Sequence, residues 1–169
     1  MRDIINLTSS ETQEINNKFP YLIDLINCEQ NGFYEIASIS PFDHLLSEED
    51  ASSKIDDVTE NEAQVYNNNL YNFVVSLGRE TTLLSVKTCG RKKNKLKIRR
   101  FTSNEALKRK LKLKHQFAPN TSRFILLLPE LESIYFENWD FTHHIFSKKT
   151  AKNELIKKLA TENMLHVIK

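Results

Sequence analysis

The longest unbroken apolar run in the chain is the stretch 124–128, Phe-Ile-Leu-Leu-Leu, closed by Pro129. A bilayer span needs about 20 apolar residues, so this run is far too short to cross a membrane. A continuous apolar run of this length, bounded by turn chemistry on both sides, reads instead as a fully buried strand. It therefore predicts a sheet at the centre of the fold. Two further runs follow it, SIYFE from Ser133 and DFTHHIF from Asp140, and these pair across Asn138-Trp139-Asp140.

The upstream sequence predicts more sheet. Residues 70–101 read as a three-stranded antiparallel meander, with strands over 70–77, 81–88 and 95–101 and turns at Gly78 and Gly90. In the third strand the period of two puts Leu96 and Ile98 on one face and Lys97 and Arg99 on the other. Residues 33–39 alternate Phe33, Glu35, Ala37 and Ile39 against Tyr34, Ile36 and Ser38, which suits another strand.

Helices are expected near the N-terminus, in the middle and near the C-terminus. Thr8-x-x-Glu11 and Ser10-x-x-Gln13 both offer capping-box chemistry, ahead of apolar residues at Ile15, Phe19, Leu22, Ile23 and Ile26. Pro20 lacks an N–H and splits or kinks this segment. Thr102-x-x-Glu105 predicts a helix from Asn104 to about Phe117. Its apolar arc is Ala106, Leu107, Leu111, Leu113 and Phe117, and Lys110 and Lys114 must snorkel out of it. Thr150 caps a last helix with Leu155, Ile156, Leu159 and Met164 as its core stripe, and 166–168 adds a short edge strand. The serine-rich, acidic segment 47–62 reads as a mobile loop with one short helical turn. Together these elements predict a single α+β domain over 1–169, with an antiparallel or mixed sheet built around the meander.

Composition removes several function classes. The chain has three glycines, Gly32, Gly78 and Gly90, where average usage would give about a dozen. Backbone loops that cradle phosphate need clustered glycine, and neither GxGxxG nor GxxxxGK[ST] occurs. A dinucleotide-binding or P-loop enzyme is therefore not expected. Cys28 and Cys89 have no metal-ligand spacing and read as reduced thiols, and the first residues lack the apolar run of a signal peptide. The expected location is the cytoplasm, with no membrane association and no cofactor.

Charge supplies the leading functional candidate. Residues 1–84 hold 15 acidic and 4 basic side chains, whereas 85–115 hold 13 basic and 1 acidic. The basic block runs from Lys87 to Lys114. Its candidate polyanion contacts are Arg91, Lys92, Lys93, Lys95, Lys97, Arg99, Lys108, Arg109 and Lys112, on a strand face, a hairpin tip and the following helix. Such cations bind phosphates by displacing counterions, or they offset the acidic half of the same chain. The partner expected on the first reading is an acidic macromolecule, either nucleic acid or protein. A small protein that neutralises an enzyme by direct binding, as immunity proteins and antitoxins do, has the same size and charge pattern by analogy.

A second cluster gathers Trp139, Asp140, His143 and His144. On a strand, His143 and His144 point to opposite faces, which argues against a shared metal ion. Asp140 with His144 is a conceivable acid/base pair for a hydrolase or nuclease, and Glu130 and Glu132 with Lys148 and Lys149 are acids and lysines of the kind nucleases use. No nucleophile or oxyanion hole accompanies them in the sequence, so no catalytic residue is assigned. These four residues are instead expected to form either a structural pair or the rim of a protein interface, with Trp139 as its aromatic anchor or as a cap on its own core.

Overall fold

The computed structural model describes residues 2–27, 32–89, 95–111, 124–138, 140–149 and 154–169. Eight strands form one sheet, antiparallel at every pairing. In chain order they are β1 (Ile4–Asn6), β2 (Tyr34–Ser40), β3 (Leu84–Cys89), β4 (Lys95–Phe101), β5 (Ile125–Leu128), β6 (Ser133–Phe136), β7 (His143–Lys148) and β8 (His166–Ile168). Across the sheet the order is β1-β4-β3-β5-β6-β7-β2-β8. The helices are α1 (Ser9–Lys18), α2 (Leu22–Ile26), α3 (Glu48–Ala51), α4 (Glu60–Glu80), α5 (Asn104–Lys110) and α6 (Glu154–Glu162).

Helices cover both faces of this sheet. On one face α1 and α2 supply Ile15, Leu22 and Leu25, which pack with Phe19 against Leu84, Val86, Ile98, Leu127 and Ile134. On the other face α4 contributes Leu70, Phe73, Val74 and Leu77, α5 adds Leu107, and α6 adds Ile156 and Leu159, all against Leu126, Leu128, Tyr135 and Ile145. The run 124–128 is the hinge of this arrangement: Leu126 and Leu128 belong to one core and Leu127 to the other, and all three are fully buried. That is why the sequence there cannot alternate with polar residues.

Local chemistry explains the helix starts. Thr8 caps α1 by accepting from Glu11 N at 3.3 Å, while the Glu11 carboxylate accepts from Thr8 N at 2.8 Å. The break at Pro20 falls between α1 and α2, with Tyr21 in the left-handed region at φ 62°. α5 is capped by Ser103, which accepts from Ala106 N at 3.1 Å, not by Thr102. The Thr102 hydroxyl instead donates to the carbonyls of Arg2 and Asp3 and fastens β1 beside β4. The residues expected to extend α5 to Phe117 lie outside the described residues, as does the expected cap at Thr150.

Three expectations need correction. Residues 70–77 are not the first strand of a meander but the second half of α4, which begins at a Thr59–Glu62 capping box. The β-branched and aromatic residues Tyr71, Phe73, Val74 and Val75 resemble a strand locally, yet Ala63, Leu70, Phe73, Val74 and Leu77 recur at helical spacing across 21 residues. The long-range packing of that stripe outweighs weak local propensity. β3 therefore pairs with β4 and β5. Segment 47–62 contains α3, a π-helical turn Ser52–Asp56 with Ile55 buried, and the start of α4. Met164 is not in the core stripe; it is 69% exposed at φ 56°, in the turn that leads α6 into β8.

Candidate polyanion-binding surface

Lys87 on β3 stands directly opposite Lys97 on β4. β3 bonds to β5 only through 84–86, and β4 pairs with β1 only through 99–101. Beyond those points, 87–89 and 95–97 pair only with each other among the described residues, as a two-stranded ribbon. Leu96 and Ile98 turn toward the α1–α2 core and hold one face of it down. The other face carries Lys87, Lys95, Lys97 and, nearer the sheet, Arg99. The period-two reading of Lys97 and Arg99 against Leu96 and Ile98 thus matches the observed register.

The basic block separates into two electrostatic halves. On the helix side, cations have carboxylate partners: Lys108 Nζ lies 2.6 Å from Glu105, Arg109 Nη2 lies 2.5 Å from Asp3, and Lys110 Nζ lies 3.7 Å from the same Asp3. Arg100, on the α1–α2 face of β4, pairs with Glu11 at 2.8 Å. The hydrogen bond from Arg109 holds the Asp3 carboxyl below its ordinary pKa; burial opposes it, and the charges of Arg109 and Lys110 add to the lowering. The ribbon half differs: among the described residues no carboxylate forms an ion pair with Lys87, Lys95, Lys97 or Arg99.

At the base of the ribbon a cavity of about 320 Å³ opens beside Ser85, Lys87, Arg99, Phe101, Lys110 and Phe124. Arg99 is half-buried, and its Nη2 donates to Ser85 Oγ at 3.4 Å. Its Nε–H is buried and has no hydrogen-bond partner among the described residues. Buried donors are nearly always satisfied, and a water or an ion is a common partner for one that the protein leaves unpaired.

Of the candidate contacts, Lys95, Lys97 and Arg99 come together on one face. Lys108 and Arg109 belong to the matched helix half, with the Lys108 carbonyl accepting from Tyr71 Oη at 3.3 Å. Arg91, Lys92, Lys93 and Lys112 lie outside the described residues. Lys87 and Lys110 were visible only as members of the block; what singles them out is a cross-strand register and a cavity wall. Phe101 and Phe124 had no local signal beyond strand propensity.

The second cluster does not assemble as a dyad. Asp140 Oδ1 accepts from Thr142 N at 3.1 Å, closing the turn ahead of β7. His144 faces the α1–α2 side, with Nδ1 3.2 Å from Ser38 Oγ and Nε2 3.5 Å from Asn138 Nδ2. His143 is buried on the opposite face, where its Nδ1 meets the Tyr135 hydroxyl. Burial drives the Tyr135 hydroxyl well above its ordinary pKa, and the Glu137 charge adds to that. Trp139 lies outside the described residues. Glu132 pairs with Lys148 at 2.9 Å, whereas Glu130 accepts from Thr81 Oγ1 and Thr82 N just past the end of α4. Among the described residues no three His, Cys, Asp or Glu side chains gather where they could hold a metal ion. Among the described residues no helix is long and apolar enough to cross a membrane. No protein-family model, no curated protein and no solved structure matches the chain.

Proposed function

We propose that the protein is a non-enzymatic, cytoplasmic binding protein that docks an acidic macromolecule on the lysine face of the β3–β4 ribbon. The observation that carries this reading is Lys87 set opposite Lys97, with no carboxylate among the described residues paired to either. Like charges directly across a strand pair destabilise it, by about 0.2–1 kcal/mol in typical pairs. The helix-side lysines and arginines of the same basic block have acidic partners, so internal neutralisation accounts for them and not for the ribbon. A polyanion laid along Lys95, Lys97 and Lys87 supplies the missing counter-charge. Two-stranded ribbons of this kind are also a known means of placing cations against nucleic acid.

The test compares wild type with the Lys95→Glu/Lys97→Glu double variant, using a generic labelled oligonucleotide and polyglutamate as probes across a salt series. Both lysines are exposed, so the variant should keep the wild-type circular dichroism and be at least as stable as wild type. The expected result is binding to at least one probe, falling steeply with salt and lost in the variant. Absence of binding to both probes at low salt, or binding that survives the double reversal, overturns the proposal.

A further inference from the structure

We infer that the cavity at the base of the ribbon seats one phosphate and its base from a single-stranded nucleic acid, an inference that rests on the ribbon being the docking face. The cavity has the parts such a unit needs. Arg99 offers a buried Nε–H with no partner among the described residues, and the hydrogen bond from its Nη2 to Ser85 holds the guanidinium in place. Arginine presents parallel donors that match two phosphate oxygens at once. Lys87 stands on the same wall with no carboxylate partner among the described residues, and Lys110 and Arg109 share the one Asp3 carboxylate, which leaves one of their two charges unmatched.

Phe101 and Phe124 line the same cavity. Aromatic side chains beside a cationic track are how proteins hold the bases of single strands, because every base has a flat face to stack. A cavity of about 320 Å³ is at the lower end of ligand-site volumes, large enough for one phosphate with a base and too small for a long ligand. The rest of the strand has a path outward along β4. Lys95, Lys97 and Arg99 alternate on one face, about 7 Å apart from one to the next by strand geometry, similar to the separation of successive phosphates in an extended chain. A duplex offers a base to a concave pocket only at the cost of unpairing and unstacking it, a cost that a single strand largely avoids. An acidic peptide can use the lysines and the arginine fork through its carboxylates, but it brings a flat ring only where it has an aromatic side chain, whereas every nucleotide joins an anion to one.

The experiment measures anisotropy of a labelled single-stranded ten-mer, the same sequence as a duplex, and polyglutamate, on wild type, Lys110→Gln and Lys95→Glu/Lys97→Glu. In parallel, the Arg99 Nε–Hε resonance is followed by NMR with a nucleoside monophosphate and with inorganic phosphate. The expected result is single strand bound about tenfold more tightly than duplex, and about fivefold weaker binding in Lys110→Gln with a shallower salt slope. The Arg99 resonance should shift and slow its exchange with the nucleotide at lower concentration than with phosphate. Equal binding of single strand and duplex, an unmoved Arg99 resonance with both anions, or a nucleotide no better than phosphate overturns the pocket assignment. If the double reversal still abolishes binding in that case, or polyglutamate alone binds, the ribbon reading stands without the pocket. If no probe binds, both fall.

Discussion

A Cβ placed on Gly78 of α4 would lie 2.2 Å from Cδ2 of Leu107 on α5, and 3.2 Å from Cδ1 of Leu83. The glycine is therefore where the long helix and the short one touch. Leu107 is buried at 3% exposure and would have to swing its Cδ2 toward the cavity of about 190 Å³ that it lines with Gly78 and Leu83. Gly78→Ala gains helix propensity of about 1 kcal/mol but must displace Leu107, and overpacking of a core costs typically 1–3 kcal/mol. We expect net destabilisation in urea unfolding. The cost should shrink in a Leu107→Ala background, so that a double-mutant cycle returns a positive coupling between the two sites.

The same glycine shows where sequence reasoning stopped. Within 70–78 the β-branched and aromatic residues followed by glycine look like a strand and its turn, because a turn and a close helix contact both demand a missing side chain. Only the stripe from Ala63 to Leu77, read over its full length, separates the two. Features decided by adjacent residues were legible: the Thr8–Glu11 cap, the break at Pro20, the buried run at 124–128, the edge strand at 166–168, and the opposite faces of His143 and His144. Features decided by distant ones were not. Arg109 meets an acid 106 positions away, and Lys87 meets Lys97 through a register that no local pattern fixes. Half of the candidate site, the alternation of Lys97 and Arg99, was readable; its division into matched and unmatched cations was not.

Tyr34 ties β2 to the α1–α2 junction, since its hydroxyl donates to the Pro20 carbonyl at 2.8 Å. Tyr34→Phe should cost about 1 kcal/mol, the typical net worth of such a bond. Burial also pushes the Tyr34 hydroxyl up to about 12 from 10.0. A folded value raised above the unfolded one contributes stability that is complete below 10.0 and disappears as the pH rises through about 12. Denaturation curves at rising pH should therefore show an alkaline loss in wild type that is reduced in Tyr34→Phe.

Glu130 gives the acid counterpart. Burial alone would raise its pKa, but hydrogen bonds from Thr82 and Thr81 outweigh that and hold the carboxyl below its ordinary 4.5. A folded value depressed in this way contributes stability that is present above 4.5 and is lost as the pH falls through the folded value. Glu130→Gln keeps the shape and removes the charge. It should lower stability near neutral pH and flatten the decline below pH 4.5, both read from thermal melts in a pH series.

The ribbon sets stability against binding, and Lys97→Glu exposes the conflict. The substitution puts a carboxylate directly opposite Lys87, so a repulsive cross-strand pair becomes an attractive one. Each pair of this kind is worth about 0.2–1 kcal/mol, so the variant should unfold at slightly higher urea than wild type. Under the proposed function the same change removes one cation and adds an anion on the docking face, so polyanion binding should weaken and its salt dependence become shallower. A fold-supporting role for Lys97 predicts the reverse order, with stability falling. Paired measurement of urea midpoint and oligonucleotide affinity on this one variant thus separates a lysine kept for a partner from a lysine kept for the sheet.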